Sequence, residues 1–306
     1  KASFGWWTMD ALEQARRTTG GHGYSAYNKL GPMIAGAAVG TTGGGDNIVL
    51  AQQCARYLVR TWQKLVAGGD SVFVGHSARY LRDIASSPDA IKTHIVDAKW
   101  AVHTPKDLES ADRLLEASRW LAGFCIHNGA EALQEAMMDG KLSLSEAWND
   151  NMMKLVRATD KHCFHFVLST FISWSKQTSD KGQVEVLAQL WQLFALRTIE
   201  RSLDVFYEGG YMTPKQGKMV RTRVKQLCAA VRQQAIPLTD VFDYPDFVLN
   251  AQIAPKDGDL YRKYFEYVKQ SPDGYSAAKY WNKEVAPLVN PDHYHRYEKP
   301  LFSSSL

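Results

Sequence analysis

Apolar residues recur every three or four positions along most of the chain, which is the spacing of an amphipathic α-helix. The first pattern covers residues 6–17 and predicts a helix that ends before the glycines of residues 20–23. Residues 48–62 predict a second helix. Asp46 or Asn47 is its expected amino-terminal cap, because short polar side chains accept hydrogen bonds from the free amides of a first helical turn.

The second half of the chain carries longer helical patterns. One apolar stripe continues through residues 143–176, and Ser143 with Glu146 matches the reciprocal capping pattern of a helix start. Residues 184–206 predict a further helix, which ends at Gly209 and Gly210. Thr213 and the proline after it predict the start of the next helix, because proline is favoured at the first helical position.

The sequence contains no pattern typical of β-strands. No run of alternating apolar and polar residues ends in a hairpin turn, so the sequence predicts an all-α fold of packed helices. Trp148, Trp174 and Trp191 lie at helical spacing and are predicted core residues. Residues 67–105 keep no sustained period, which predicts a connection between two helical domains, residues 1–66 and 106–306.

The composition is that of a folded protein and excludes several functional classes. Of 306 residues, 45% are hydrophobic and 22% are charged, with a net charge of +4. Basic residues are scattered along the chain, which argues against a nucleic-acid-binding arm. No segment has the roughly 18 unbroken apolar residues of a membrane helix, so no membrane span is expected. The first residue is Lys1, which indicates a cut or truncated boundary.

One glycine-rich turn is a candidate ligand site. Residues 43–47 lead directly into the second predicted helix, where exposed backbone amides attract anions. The turn lacks the P-loop pattern and follows no strand, so a plain interhelical loop is an equally good interpretation. A metal site is not expected, because Cys163 does not share a helix face with His162 and His165.

Five motifs spread along the chain belong to one pattern. Residues 15–25 read ARRTTGGHGYS, and residues 45–58 read GDNIVLAQQCARYL. The others are VRATDKHC at residues 156–163, DVFDYPD at 240–246 and DGDLY at 257–261. Together these motifs resemble the peroxisomal acyl-CoA oxidases, and the resemblance covers nearly the whole chain.

The resemblance implies both a fold and a cofactor. The fold would be the end of a flavin-binding four-helix-bundle domain followed by a second helical domain. In that family a glutamate removes the α-proton of a fatty acyl-CoA, the β-hydride passes to FAD, and dioxygen reoxidises the flavin to give hydrogen peroxide. The family's Gly-Gly-His-Gly-Tyr and Gly-acidic-Asn turns contact FAD, partly across a dimer interface. By position, the implied FAD contacts are Gly20, Gly21, His22, Gly45, Asp46, Asn47 and Gln53.

Two departures from the family pattern bear on activity. Alignment through Asn47 and Arg56 places Gly44 at the position of the catalytic glutamate, and glycine cannot accept a proton. Asp46 is the acid in this turn and is the candidate substitute base. The chain also resembles only the carboxy-terminal part of an oxidase. A separate chain or fragment carrying the amino-terminal half is therefore expected, in a dimer or heterotetramer.

Three functional hypotheses follow. The leading one is the carboxy-terminal chain of an FAD-dependent oxidase of acyl-CoA or a similar thioester, acting in fatty acid β-oxidation. Its expected location is the peroxisome, because the tail Ser304-Ser305-Leu306 is similar to an S-K-L targeting tripeptide. The second is a catalytically silent subunit that stabilises an active homologue. The third is a flavoenzyme whose chemistry has changed with the loss of the glutamate.

Overall fold

A computed structural model of the protein describes residues 1–68, 72–271 and 278–289. The α-helices are α1 (Ala2–Thr18), α2 (Leu30–Thr42), α3 (Asn47–Val66), α4 (Tyr80–Ala85), α5 (Pro88–Ile91), α6 (Ala111–Met137), α7 (Leu144–Asp150), α8 (Met152–Ser175), α9 (Lys181–Glu200), α10 (Leu203–Glu208), α11 (Pro214–Arg232), α12 (Ala235–Asp240), α13 (Asp246–Leu249), α14 (Leu260–Gln270) and α15 (Ala286–Val289). Short 3-10 helices are Gly20–Tyr24, Ala26–Asn28, His76–Ala78, Pro105–Glu109 and Met138–Gly140, and short π-helices are Lys92–Val96 and Trp281–Val285. These ranges contain no β-strand, so the predicted all-α class is confirmed.

Side-chain caps fix the starts of the predicted helices. Asp46 Oδ1 accepts hydrogen bonds from the first amides of α3, at 2.8 and 3.2 Å. Ser143 and Glu146 form a reciprocal capping box at α7, and Thr213 and Gln216 form another at α11. Each cap satisfies backbone amides that have no partner within their own helix. The capping predictions are therefore confirmed.

The helices differ from the sequence pattern in several respects. The stripe over residues 143–176 is broken at Asn151 into α7 and α8. The helix predicted over residues 184–206 is likewise broken, at residues 201–202, into α9 and α10. Trp174 is not a core residue, since it is 56% exposed, whereas Trp191 is only 8% exposed and Trp148 is half-buried. Helix α8 carries large apolar residues on both faces, so periodicity alone did not exclude Trp174 from the core. Residues 67–105 contain helices of three to six residues, too short to show a period.

The described chain divides into two compact units. The first unit comprises Lys1–Met9 and Ala37–Phe242. In its core α6 packs along α8, α9 packs against α11, and α3 contacts α6 and α8. Residues 74–102 add buried side chains to this core, among them Leu81 and Ile95. The division into domains at residues 67–105 stays a prediction.

Aromatic rings stack at the centre of the first unit. Trp120 on α6 lies 4.6 Å from Phe124, 5.4 Å from Phe206 and 4.4 Å from Tyr211, measured between ring centroids. Gly209 packs directly against this stack, since a Cβ added there would lie 2.5 Å from the Trp120 ring. The stack leaves no room for even one methyl group at that position.

The second unit joins Asp10–Gly36 to the residues from Asp243 onward. Its centre is the contact between residues 20–28 and α14. The ring of Tyr27 lies 5.5 Å from Tyr264 and 5.0 Å from Tyr267, both edge-on. The backbone amide of Gln252 donates a hydrogen bond to the Tyr27 carbonyl at 2.9 Å.

No helix in the described residues has the length and apolar character needed to cross a bilayer.

Candidate functional site

The turn before α3 depends on two glycines with left-handed backbone angles. Gly44 has φ +66° and Gly45 has φ +99°, a region that other residues enter only with strain. No described atom lies within 4 Å of a Cβ built on Gly44. The space in front of Gly44 is therefore open. The expectation that Gly44 occupies the position of the family's glutamate stays a prediction.

Asp46 follows these glycines and is half-buried. Its Oδ1 is occupied as the cap of α3, accepting from Ile48 and Val49. Its Oδ2 makes no hydrogen bond or ion pair with the described residues. One carboxylate oxygen is thus held by the helix while the other keeps its lone pairs free to accept a proton.

Asn47 is a buried structural residue in this unit. It is 2% exposed, and its Nδ2 donates to the Ala2 carbonyl at 3.1 Å. Lys1 Nζ donates to Asn47 Oδ1 at 2.9 Å. Gly5 lies so close that a Cβ there would be 2.7 Å from Asn47 Nδ2. The Asn47 amide thus fastens the start of α1 to the start of α3, a role that sequence reasoning did not foresee.

Gln53 lies on the exposed face of α3. Its Oε1 accepts only a 3.4 Å hydrogen bond from Arg56 Nη1 in the same helix. The preceding residue, Gln52, is the one that contacts another helix, because Gln52 Oε1 accepts from Trp148 Nε1 at 3.0 Å. Gln53 therefore presents its amide outward, and its role in cofactor binding stays a prediction.

The other predicted turn, Gly20–Tyr24, lies in the second unit. Gly20 has φ +61°, and neither Gly20 nor Gly21 has a described atom within 4 Å of an added Cβ. Gly23 is the reverse case, since its Cβ would lie 2.5 Å from the Arg16 carbonyl oxygen. The exposed ring of His22 meets Tyr264 edge-on at 5.4 Å. The turn is thus closely packed at Gly23 and open at its first two glycines.

The residues predicted to hold FAD fall into two groups. Gly45, Asp46, Asn47 and Gln53 are in the first unit, and Gly20, Gly21 and His22 are in the second. Open glycine backbone fits the close approach of a pyrophosphate or a flat ring, because no side chain blocks the amides. The Gly20–Gly21 backbone and Gly44 fit this requirement, whereas a Cβ on Gly45 would lie 3.3 Å from Leu50 Cδ1. The Asn47 side chain fits it less well, because its amide is already hydrogen-bonded within the protein.

A buried polar cluster joins α4, α6 and α8 in the first unit. The Tyr80 hydroxyl is 3.0 Å from His162 Nδ1, and the Ser118 hydroxyl is 2.8 Å from His165 Nδ1. Sequence reasoning missed this cluster because its members are far apart in the chain. Among the described residues, no group of three or more His, Cys, Asp or Glu side chains is placed to hold a metal ion.

The two histidines predict a loss of stability in mild acid. Burial lowers the pKa of His162 to about 4, and burial, His162 and Arg119 lower the pKa of His165 to about 4. An unfolded histidine titrates near 6.5, so protons bind the unfolded chain first as the pH falls from about 6.5 to 4. We expect the free energy of unfolding, measured with urea, to be about 2 kcal/mol lower at pH 5 than at pH 7.5 for His162 alone.

Substitution separates this effect from general acid sensitivity. His162→Gln removes the titrating ring, so the fall in unfolding free energy between pH 7.5 and pH 5 should shrink by that amount. His22→Gln, at an exposed ring in the second unit, should leave the fall unchanged. An equal pH dependence in both variants would contradict the assignment to the buried histidine.

Comparison with known proteins gives a consistent set of relatives. The family model described as "Acyl-CoA oxidase" matches residues 110–290, and the one described as "Acyl-CoA oxidase, C-alpha1 domain" matches residues 1–59. The peroxisomal acyl-coenzyme A oxidase 1 of Cavia porcellus is 33% identical over 302 residues. That match covers 98% of this chain but 42% of the relative.

Solved structures show the same partial coverage. Acyl-CoA oxidase 1 of Yarrowia lipolytica has a TM-score of 0.83 at 28% identity, over 100% of this chain and 42% of that chain. Acyl-CoA oxidase-2 of Caenorhabditis elegans, bound with FAD, ascaroside-CoA and ATP, has a TM-score of 0.81 at 25% identity, over 95% and 41%. This chain therefore spans less than half the length of the relatives that it matches.

Proposed function

The chain belongs to the acyl-CoA oxidase family, and from that premise we propose that it is the carboxy-terminal part of an FAD-dependent acyl thioester oxidase. The reaction would convert an acyl-CoA or similar thioester and dioxygen into a 2-enoyl thioester and hydrogen peroxide. The observation that carries the cofactor proposal is the open backbone at Gly20, Gly21 and Gly44, where nothing in the described residues meets an added Cβ. Exposed backbone amides in such turns can bind the pyrophosphate group of FAD.

Different residues of this chain would bind FAD and hold the binding turns in position. When bound, FAD supplies the acceptor for the β-hydride and the electrons for dioxygen. In the second unit Gly20 and Gly21 would offer backbone amides to FAD and His22 its ring. In the first unit Gly44 and Gly45 would offer amides and Gln53 its side chain. Asn47 would keep the Gly44–Gly45 turn in place by fastening α3 to α1.

Completion by an amino-terminal half is the second part of the proposal. Helix α2 has no polar side chain before Thr41, and none of its residues is buried. Met33 is 52% exposed and Val39 is 65% exposed. A helix that is apolar on every side is normally enclosed by other elements. We assign that covering role to a separate chain or fragment with the amino-terminal half of the oxidase, in a dimer or heterotetramer.

The base for α-proton removal is assigned to Asp46. The family resemblance implies that Gly44 replaces the glutamate, which leaves Asp46 as the acid of the turn. Its free Oδ2 is the oxygen that would take the proton. Asp46→Asn preserves the cap, since asparagine caps helices as well as aspartate does. We therefore expect it to slow anaerobic bleaching of the flavin by acyl-CoA about 10²-fold or more while leaving Tm unchanged.

The same assay tests the proposed function as a whole. The purified flavin-containing assembly is mixed anaerobically with acyl-CoAs of several chain lengths, and peroxide is measured after air is admitted. Bleaching followed by peroxide supports the oxidase. A bound flavin that no acyl-CoA bleaches would contradict it and favour the silent subunit, for which the absence of a carboxylate at Gly44 is the supporting observation. If the Asp46→Asn variant bleaches as fast as the native protein, a residue other than Asp46 is the general base.

A peroxisomal location is proposed with this function. Relatives such as the Cavia porcellus enzyme are named as peroxisomal oxidases. The tail Ser304-Ser305-Leu306, which resembles a targeting tripeptide, lies outside the described residues. Deletion of these three residues in a fluorescent fusion should abolish import into peroxisomes if the tail is the signal.

A further inference from the structure

A cavity of about 250 Å³ lies beside the middle of α6 in the first unit. Its walls come from α6, from Ile84 of α4, from residues 93–99 and from Tyr211, which follows α10. Four separate parts of the chain thus meet here. The polar residues that line the cavity are Thr93, His94, Lys99, Glu116, Arg119 and Tyr211.

Positive charge in this cavity exceeds negative charge. Arg119 is half-buried and makes no hydrogen bond or ion pair with the described residues. Glu116, the acid of the cavity, is already paired with Arg113 at 3.0 Å. Lys99 Nζ donates to the Gly210 carbonyl at 2.8 Å, which uses one of its three protons. A partly desolvated guanidinium without a counter-ion is unfavourable, so an anion would be stabilised here.

Tyr211 adds a donor that has no acceptor. Its side chain is buried, at 2% exposure, and its hydroxyl makes no hydrogen bond with any residue that the structure describes. Its ring is stacked on Trp120 at 4.4 Å, and its carbonyl accepts from the Trp100 amide at 3.0 Å. Burial raises the pKa of Tyr211, so the hydroxyl keeps its proton. The residue is therefore a fixed and unused donor in the cavity wall.

From these groups we propose that the cavity is a binding site for a phosphate group, with Arg119 as its main ligand. The planar guanidinium can bind two phosphate oxygens at once, while Lys99 adds a point charge and Tyr211 a hydroxyl donor. A second cavity, of about 520 Å³, shares Glu116 and Arg119 with the first. The phosphate can therefore be free or can be the monoester of a nucleotide whose remainder occupies the second cavity.

Binding of inorganic phosphate to the purified full-length protein, with any copurifying chain, tests the site. Calorimetry and thermal unfolding are run with phosphate and with chloride at equal ionic strength, since a ligand of the folded state raises Tm with its concentration. We expect Arg119→Gln to weaken phosphate binding at least tenfold and Arg119→Lys to weaken it less. The matched control is Arg60→Gln, which removes an exposed arginine of α3 and should leave the Kd within twofold.

Tyr211→Phe gives an independent readout. Without phosphate the variant should be at least as stable as the native protein, because an unpaired buried hydroxyl is removed. Its phosphate affinity should nevertheless fall several-fold. Adenosine monophosphate distinguishes the two sources, since binding at least tenfold tighter than phosphate assigns the site to a nucleotide and equal or weaker binding assigns it to free phosphate.

Three results would overturn the proposal. One is the absence of any phosphate-dependent heat or Tm shift in the native protein. The second is phosphate binding that survives unchanged in Arg119→Gln. The third is equal weakening in Arg119→Gln and Arg60→Gln, which would show only a general effect of net charge.

Discussion

Introduced into the Asp46→Asn variant, Gly44→Glu should increase the rate of flavin bleaching by acyl-CoA by about 10²-fold, which is the loss that we expect Asp46→Asn to cause. The substitution places a carboxylate at the position that the family resemblance predicts for the glutamate. Space is available, because no described atom lies within 4 Å of an added Cβ. The backbone angle of +66° should reduce stability by about 1 kcal/mol. The rate is measured anaerobically by stopped-flow absorbance with saturating acyl-CoA.

Gly44→Gln is the matched control for this gain. Glutamine has nearly the same size and suffers the same backbone strain, but it cannot act as a base at neutral pH. The gain should therefore be confined to the glutamate variant and should fall in acid as its carboxylate is protonated. Equal rates in both variants would show that residue 44 does not face the substrate.

Gly209→Ala should lower the free energy of unfolding by about 3 kcal/mol, the upper end of the usual cost of overpacking. The added methyl would lie 2.5 Å and 2.7 Å from two Trp120 ring carbons and 2.8 Å from Phe124. Trp120 cannot move aside, because stacked rings confine it. The backbone itself permits alanine, since Gly209 has φ −78°. Denaturant unfolding monitored by circular dichroism measures the change.

Gly182→Ala provides the comparison for this loss. Gly182 lies in the first turn of α9, and its added Cβ would meet only Asp180 Oδ1, at 3.4 Å. Alanine should there leave stability unchanged or raise it by up to about 1 kcal/mol, as expected for a helical glycine. Similar stabilities for the two alanine variants would mean that the aromatic stack adapts to the methyl group.

Local signals were sufficient to predict the starts of α3, α7 and α11, whereas neither α2 nor the long helix α6 was predicted. Asp46, Ser143 and Thr213 cap helices through bonds to residues two or three positions away, so the sequence contains the whole interaction. The family motifs added the identity of the fold, which the family models confirm. Periodicity failed for Trp174, because α8 offers two apolar faces and only tertiary packing selects between them.

The site was predicted less completely than the helices. The glycine turns were found because glycine at a helix start has a local signature. The second role of Asn47 was not, since its bond to the Ala2 carbonyl spans 45 positions. Arg119, Lys99 and Tyr211 likewise come from three separate segments, and no spacing rule relates them. Contacts of this kind depend on the assembled core and have no sequence signature.

The apolar surface of α2 also bears on the fate of newly made chains. Under the two-chain proposal, a copy that has not yet met its complementing half would present this helix to chaperones and proteases, which bind exposed apolar segments. Surplus copies should therefore be degraded faster than assembled ones. Under the two-chain proposal, the cell would then keep both polypeptides in equal amounts by selective turnover, even where their synthesis is unequal.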